Sequence, residues 1–340
     1  MPAFVERDAI AKRPDLSDAL AIADRKKTKF LSMIKKNVAP TNTLTEWPVD
    51  NYPAPNISGA VDEQPVTEYE NINNVAAKLS GRVQIKQRSF RVSRHADRTM
   101  DQAGVGRKKA FAKALAKCLV MVARDWETIL LGDGDSFAGT GAANNGPRTR
   151  GYGSWAASSA QTDLPVDSSF RTPAAQIDTT TIANWLDTTL MTALKSLYDQ
   201  TGDDEMDLSF FVGSTLRQKL SRLTFYDKDD SGFTLVRRFN QNAESAKVTL
   251  KVSVLDTDFG RAIIRASSFI NASGDPTTAA SRRLGYLFPT VDEALRMRYS
   301  WPINGEELSN DGGGRRALVE SAAVFECGNP LWLIRFAPSG

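Results

Sequence analysis

The stretch GVGRKKAFAKALAKCLVMVARDWETILL, residues 104–131, predicts one long amphipathic helix, called here the spine helix. Its apolar side chains recur at spacings of three and four residues and so share one face: Phe111, Leu115, Cys118, Val122, Trp126 and Ile129. Alanine, leucine, lysine and arginine favour helix, and Gly132 and Gly134 supply a stop signal. At about 1.5 Å per residue the helix is roughly 40 Å long. We expect its buried core to consist of Phe111, Leu115, Val122 and Trp126.

The overall composition excludes several classes of protein. With 41% hydrophobic and 24% charged residues among 340, the chain is an ordinary globular one with room for two domains. A net charge of +3 does not by itself indicate a nucleic-acid binder. The sequence has neither a signal peptide nor a long apolar run, so we expect no membrane contact. Cys118 and Cys327 lie in apolar patterns and are expected to be reduced core thiols.

No stretch carries a complete catalytic or cofactor motif. The Asp-Phe-Gly at residues 258–260 lacks the Gly-rich loop, strand lysine and catalytic loop of protein kinases. The glycines of residues 132–146 include no Gly-Lys-Ser/Thr, and the single histidine, His95, cannot build a His-rich metal site. We therefore expect no catalytic residue, metal ligand or cofactor, and a protein that is not an enzyme. A carboxylate hydrolase stays open as an alternative because acids are plentiful, although no pair of them stands out.

Two stretches precede the spine helix. Residues 1–40 form a polar arm with a basic run, which is typical of a solvated segment or of nucleic-acid contact. Residues 41–98 predict a two-stranded excursion, called here the extended loop, with a proline-rich tip and little apolar surface. Acidic residues lie on its outgoing half and basic residues on its return. An isolated ribbon is marginal in water, so the extended loop needs another surface to lie on.

After the spine helix, a Gly-rich loop over residues 132–159 leads to a second unit. Its predicted elements are a helix over 182–197, a buried strand over 207–213, a hairpin around 258–260, and strands over 294–299 and 317–327 with a protruding tip between them. This order of helices and strands indicates an α+β architecture in two units.

Several segments, kept in order, resemble one family. They are FLSMI, TNTLTEWPVDNYPAPN, the alternating basic strand, RDWETILLGD, VSVLDTDFGRAIIRASSFI and EELSNDGGGRRALVESAAVFECGNP. Together they resemble the major capsid proteins of tailed double-stranded-DNA bacteriophages, in particular the SU-ten-like podophage capsid proteins with the Hong Kong 97-type fold. The resemblance covers about residues 25–335 and departs at the Gly-rich loop, at residues 224–246 and at the apolar ending PLWLIRF.

The resemblance implies an α+β fold of the Hong Kong 97 type. Its parts would be an N-terminal arm, 1–40; the extended loop, 41–98; a peripheral domain, 99–177, with the spine helix and the Gly-rich loop; an axial domain, 178–280; and a return to the peripheral domain, 281–340, with the protruding tip at 302–315.

The resemblance also implies a structural role. The chain would self-assemble as pentamers and hexamers into an icosahedral capsid that encloses phage double-stranded DNA. The extended loop would lie across a neighbouring subunit through Trp47, Tyr52, Glu63, Glu68, Glu70, Arg82, Arg88 and Arg91. The basic residues of the arm would contact DNA or a neighbour's acids: Arg25, Lys26, Lys27 and Lys29.

The implied partners are copies of the chain, packaged double-stranded DNA, a portal protein, and scaffold and decoration or cement proteins. The implied location is the virion capsid, assembled in the bacterial host cytoplasm. Because the arm is short, we expect a separate scaffold protein or none, and no extensive proteolytic maturation. Two alternatives stay open. One is an encapsulin-like nanocompartment shell, distinguished by its cargo. The other is a soluble DNA-binding protein that uses the basic strand at 78–98, distinguished by steep salt dependence.

Overall fold

The computed structural model describes residues 27–58, 62, 69, 71, 76–99, 110–142, 145–222, 226–228, 234–236, 253–309 and 312–340. Its helices are α1 (Lys29–Met33), α2 (Arg94–Thr99), α3 (Ala110–Leu130), α4 (Tyr152–Trp155), α5 (Asp187–Thr201), α6 (Ser214–Arg222) and α7 (Ala279–Arg283). Its strands are β1 (Lys35–Asn37), β2 (Leu44–Val49), β3 (Ala77–Arg82), β4 (Gln84–Ser93), β5 (Ile177–Asp178), β6 (Asp207–Val212), β7 (Tyr226–Lys228), β8 (Thr234–Val236), β9 (Val254–Thr257), β10 (Gly260–Ala266), β11 (Gly285–Pro289), β12 (Leu295–Leu308), β13 (Gly314–Cys327) and β14 (Ile334–Phe336). The predicted mixture of helix and strand is confirmed.

The spine helix is α3, and most of its length is in the described part of the chain. Residues 104–109 of the prediction lie outside that part. Val122 and Trp126 are completely buried, Phe111 is 6% exposed, and Leu115 is partly buried against the core. The helix ends at the predicted stop, where the Gly132 N–H donates to the Ile129 carbonyl at 3.2 Å. Among the described residues, no helix combines the length and the apolar character needed to cross a membrane.

A four-stranded sheet lies beneath the spine helix. Its strand order is β1-β12-β13-β4, with β1 parallel to β12 and the other neighbours antiparallel. In β4 the even-numbered side chains are partly buried and the odd-numbered ones exposed. Phe90 packs on Phe111 of α3 with 5.4 Å between ring centroids, so the helix covers the even-numbered face. Gly305 of β12 lies directly under the helix, because a Cβ there would be 2.8 Å from Leu115 Cδ1.

Strands β12 and β13 form a long hairpin, which corrects the predicted protruding tip. The sequence suggested that the strands stop at residue 299 and resume at residue 317, but the ladder continues as far as Leu308 opposite Arg316. Register shifts on either side of Trp301 accommodate Pro302 within a strand. Most of the 302–315 segment is therefore strand rather than loop.

A six-stranded sheet forms the second half of the structure. Its order is β5-β14-β11-β6-β10-β9, with β10 parallel to β6 and β11 antiparallel to it. The core of this sheet includes Trp185, Leu194, Phe210, Leu216 and Phe336, contributed by α5, α6 and the strands. Strands β11 and β14 come from residues after 281, so the predicted return segment, 281–340, supplies strands to both sheets rather than to the first alone.

The extended loop is shorter than predicted. Strands β2 and β3 pair antiparallel, from Leu44 opposite Arg82 to Val49 opposite Ala77. Strand β4 does not continue this ribbon but pairs with β13 over ten residues. Between β3 and β4, Val83 is buried with Ala322 and Val324. The predicted ribbon over 41–98 is therefore corrected, because Gln84–Ser93 belongs to the four-stranded sheet.

Two local predictions fail for identifiable reasons. The Gly-rich loop is partly core, because Tyr152 and Trp155 are completely buried and the Tyr152 hydroxyl donates to the Leu287 carbonyl at 2.8 Å. The helix predicted from residue 182 begins at Asp187, because the Asn184 N–H closes a turn onto the Thr181 carbonyl at 3.0 Å.

Candidate assembly surfaces

A buried carboxylate on the spine helix holds the N-terminal segment. Glu127 is completely buried, and its two oxygens accept hydrogen bonds from the backbone N–H groups of Phe30 at 2.9 Å and Leu31 at 2.7 Å. These N–H groups lie in the first turn of α1, where a helix offers them no internal acceptor. Burial raises the pKa of Glu127, and the N–H donors with nearby Lys29 oppose that shift. We call this contact the Glu127 latch.

The residues that follow the latch are part of the folded body. The Phe30 ring meets Phe211, Phe288 and Phe325 edge-on, with centroids 5.2, 5.7 and 6.1 Å apart. Strand β1 then pairs with β12. The expectation of a separate arm over residues 1–40 is therefore corrected for 29–37, because an aromatic anchor and a strand bind this segment to the chain's own core.

The basic residues of the arm divide into two groups. Arg25 and Lys26 lie outside the described residues. Lys27 and Lys29 are exposed, and the Lys29 ammonium donates to the Ala266 carbonyl at 3.1 Å. Lys29 therefore sits at the end of β10, on the six-stranded sheet.

Trp47 was predicted to contact a neighbouring subunit, and the structure places it in the chain's own core instead. Its side chain is 5% exposed, its ring packs on Trp155 at 5.8 Å, and its Nε1–H donates to the Cys327 carbonyl at 2.8 Å. The indole anchors the base of the extended loop to β13. This assignment is corrected, because an anchored indole is not available to another chain.

The arginines predicted to face a neighbour form contacts within the chain. Arg82 makes a two-pronged ion pair with Asp163 at 2.7 and 3.0 Å. Arg88 makes another with Asp125 of the spine helix at 2.6 and 2.7 Å. These bonds raise the pKa of both guanidiniums, and the bond from Arg82 lowers that of Asp163. Arg91, which is exposed, donates to the Gly312 carbonyl at 2.6 Å. Each of the three arginines therefore has a partner in its own chain, and their contact with a neighbouring subunit stays a prediction.

The outer part of the extended loop presents exposed apolar side chains. Tyr52 is 93% exposed, Ile57 is 97% exposed and Tyr69 is 89% exposed. The predicted acidic contact residues of the same loop lie outside the described part of the chain: Glu63, Glu68 and Glu70. Since side chains of this size are normally covered, this surface is a candidate for contact with another molecule.

Sequence reasoning missed Arg150, the organising cation of the Gly-rich loop. Its side chain is 1% exposed, its Nε donates to Asp135 at 2.9 Å, and its Nη2 donates to the carbonyls of Asp163 and Leu164 at 2.6 and 2.9 Å. Its guanidinium lies 4.5 Å over the Trp155 ring. Burial lowers its pKa, while the Asp135 charge opposes that shift. Arg148 and Arg150 look alike in this Gly-rich stretch, so no sequence pattern could have shown the role of Arg150.

Sequence reasoning also missed Glu127, but here a signal existed. Glu127 follows Trp126 and precedes Leu130 by three residues, which places it at the edge of the apolar face of the helix. A carboxylate at the edge of the apolar face is either exposed to solvent or paired with a partner in the core. Its partners are backbone groups, which no sequence pattern identifies.

Arg315 joins the long hairpin to the spine helix, as Arg88 joins β4 to it. Arg315 of β13 makes a two-pronged ion pair with Glu307 of β12, with both distances 2.7 Å. Its guanidinium also lies 4.0 Å over the Phe111 ring. These contacts lower the pKa of Glu307 and raise that of Arg315. The arrangement joins hairpin and helix, and nothing in it resembles a catalytic group.

No cofactor site emerges from the described part of the chain. The residues in that part include no group of three or more His, Cys, Asp or Glu side chains able to hold a metal ion. Cys118 and Cys327 are both buried free thiols, and burial raises the pKa of each.

Comparisons with solved structures identify the fold. Solved structures share the fold: the mature capsid of bacteriophage PhiM1 (12% identity, 98% of this chain and 93% of that chain, TM-score 0.61), the native GTA particle capsid (10%, 98% and 98%, 0.60) and Mycobacterium phage Bobi (11%, 99% and 100%, 0.57). At such low identity the likeness shows the fold alone, and it confirms the Hong Kong 97 type.

Among curated proteins, none matches the sequence. The family described as SU10 major capsid protein matches residues 4–336, nearly the whole chain. The chain therefore belongs to the SU10 major capsid protein family and is a structural component of a phage capsid shell.

Proposed function

We propose that copies of this chain join into rings of five and six, and that the rings close an icosahedral shell around phage double-stranded DNA. The observation that carries this proposal is the family match, which runs from residue 4 to residue 336 and so includes every described element. A closed shell requires head-to-tail contacts that repeat until a ring closes. The exposed Tyr52, Ile57 and Tyr69 of the extended loop offer such a contact.

The two sheets suit two positions in the shell. In this proposal the four-stranded sheet with the spine helix is the peripheral unit, and the six-stranded sheet is the axial unit around which each ring closes. Strands β11 and β14 of the six-stranded sheet flank the long hairpin in sequence, so the two units share chain segments. Such sharing supports a rigid subunit whose two ends keep a fixed distance.

Further partners belong to the same proposal. We infer a portal protein at one vertex, a separate scaffold protein during assembly, and decoration or cement proteins outside. Assembly takes place in the bacterial host cytoplasm. The chain supports the shell through binding rather than catalysis, since its conspicuous charged groups, Arg82, Arg88 and Arg315, make ion pairs inside the subunit.

The structure disfavours a soluble DNA-binding protein built on the basic strand at 78–98. DNA binding by such a strand needs arginines free to meet phosphates. Arg82 and Arg88 are instead each held by a carboxylate in two-pronged geometry. A nanocompartment shell has the same surfaces and differs in its cargo.

Cargo is therefore the test of this proposal. Particles isolated from infected host cells are treated with nuclease, and their nucleic acid and protein contents are then extracted. We expect protected double-stranded DNA of uniform length. Protected protein cargo without nucleic acid would support the nanocompartment instead.

A further inference from the structure

A basic cavity lies at one end of the six-stranded sheet. It has a volume of about 660 Å³ and opens where β6 and β10 end, at Gly213 and Ala266. Three exposed cations line it, Lys27, Lys29 and Arg282, and no acidic residue does. The nearby Asp275 turns its carboxylate onto its own loop, where it accepts hydrogen bonds from Thr277.

An acidic cavity of similar size lies at the opposite end of the same sheet. It has a volume of about 620 Å³ and opens where β6 begins and β11 ends, at Met206 and Pro289. Three exposed acids line it, Asp50, Asp203 and Glu293, and no lysine or arginine does.

The two cavities lie at opposite ends of strand β6. Strand β6 runs from the acidic cavity to the basic one, and its six residues span about 20 Å at the usual rise of a strand. The antiparallel β11 runs the other way, from Gly285 next to the basic cavity to Pro289 in the acidic one. One chain therefore carries opposite charges at the two ends of one sheet.

We propose that, in the ring of the proposed shell, Lys27, Lys29 and Arg282 of one copy bind the acidic cavity of the next copy. Such a contact joins different faces of identical subunits, and a contact of this kind closes rings. The acidic cavity includes Tyr52, the exposed aromatic three residues after β2 of the extended loop. The same neighbour therefore covers both the acids and this ring.

A second copy explains the charges better than DNA does. DNA would satisfy the three cations but would leave Asp50, Asp203 and Glu293, at the other end of the sheet, without a positively charged partner. Contact between copies pairs both sets with one repeated interaction. Exposed ion pairs add little affinity individually but determine register and rate of association, which are what ring closure needs.

Two charge-reversed chains test this inference. The acid-reversed chain carries Asp203→Lys and Glu293→Lys, and the base-reversed chain carries Lys27→Glu and Arg282→Glu. Ring formation is followed at low salt by sedimentation and native mass spectrometry. Each chain alone should need a protein concentration at least about tenfold higher than the unaltered chain to form rings, because like charges then face each other. The neutral pair Asp203→Asn and Glu293→Gln should weaken rings to an intermediate degree.

Mixing the two reversed chains gives the sharpest result. In an equal mixture, every contact between unlike chains again pairs opposite charges. Rings should return, but only with an even number of copies, since alternation cannot close a five-membered ring. A chain that carries all four reversals should restore both ring sizes. All variants should keep the melting temperature of the unaltered chain, because the altered side chains are exposed.

A matched control changes the same amount of charge elsewhere. Asp258→Lys with Glu306→Lys alters two exposed acids outside both cavities and should leave ring formation unchanged. The inference is overturned if the acid-reversed chain forms rings as well as the unaltered one, or if mixing restores none. It is also overturned if the base-reversed chain forms normal rings and loses only protected DNA. If the unaltered chain forms no rings, the proposed function fails instead.

Discussion

At the scale of single residues, the spine helix combines two kinds of anchor on one turn. Trp126 fills the apolar core. Glu127, the next residue, accepts hydrogen bonds from backbone N–H groups of the N-terminal segment and so holds that segment. The first anchor contributes apolar burial, which scales with area. The second satisfies N–H groups that would otherwise be buried without an acceptor. The two anchors should therefore respond differently to substitution.

Replacing Trp126 by alanine should be among the most damaging single changes. The side chain is completely buried, so its loss leaves a large cavity and should lower the free energy of unfolding by about 3–5 kcal/mol. Chemical denaturation of the purified chain measures this. On the same helix Val120 is 52% exposed, and Val120→Ala should change stability by less than about 0.5 kcal/mol. Equal effects of the two substitutions would mean that the helix face is assigned wrongly.

Replacing Glu127 by glutamine should release the latch without creating a cavity. Glutamine keeps the shape but turns one acceptor into a donor, so one of the two α1 N–H groups loses its partner. Hydrogen exchange at Phe30 and Leu31 should become at least about fivefold faster. The exposed Glu205→Gln serves as the control and should leave that exchange unchanged. Unchanged exchange in Glu127→Gln would show that the aromatic contacts of Phe30 alone hold the segment.

The Arg82–Asp163 ion pair should make stability depend on pH on the acid side. The bond from Arg82 lowers the pKa of Asp163 below its ordinary value of 3.8 in the folded chain. The folded chain then binds fewer protons than the unfolded one, so the stabilisation is complete above that value and is lost as the pH falls through the lowered pKa. In Asp163→Asn, the decline of melting temperature from pH 5 to pH 3 should be shallower than in the unaltered chain. Identical declines would show that the pair contributes nothing in solution.

The residues of the spine-helix core could be predicted from sequence, whereas Glu127, Arg150 and Trp47 could not. Spacings of three and four identify a buried face because the helix repeat depends on local geometry alone. The roles of Glu127 and Arg150 depend on backbone groups 96 and 13 residues away in sequence. The position of Trp47 depends on the Cys327 carbonyl, 280 residues away. Contacts of that range leave no local pattern.

At the scale of elements, the pairing of strands determines which parts of the extended loop are free. Strands β2 and β3 are anchored by Trp47, while residues beyond Val49 leave the core, as the exposure of Tyr52 and Ile57 shows. The sequence indicated a ribbon with a proline-rich tip, because that signal is local. It did not indicate that β4 would pair with β13 rather than extend the ribbon, since the alternating pattern of a strand does not identify the strand it pairs with.

Replacing residues 52–70 by a short Gly-Ser turn should separate folding from assembly. The ladder from Leu44 to Arg82 and the Trp47 anchor remain, so unfolding should stay cooperative and stability should change by no more than about 1 kcal/mol. Sedimentation should nevertheless show monomers or free rings and no closed shells.

A variant with two substitutions tests the assembly role of the extended loop without shortening the loop. Tyr52→Ala with Ile57→Ala removes exposed apolar surface only, so it should keep the melting temperature and weaken assembly. Closed shells from the shortened chain would contradict an assembly role for the loop. A shortened chain that no longer folds would place the loop in the core.

At the scale of the whole molecule, shared strands and side-chain contacts join the two sheets and the spine helix. The segment after residue 281 supplies strands to both sheets, and the spine helix is joined to the first sheet by Arg88 and Arg315. The fold class and family could be predicted from sequence, because segments that resemble the family occur in the same order along most of the chain. The division of the last 60 residues between two sheets could not, because it is set by long-range pairing.

Electron microscopy of the purified chain under assembly conditions shows whether copies of the chain close into a shell. We expect closed particles of one diameter, with rings of five and six copies resolved in their averaged images. A chain that stays monomeric or dimeric at every protein concentration and salt concentration, alone and with a scaffold protein added, would contradict this expectation.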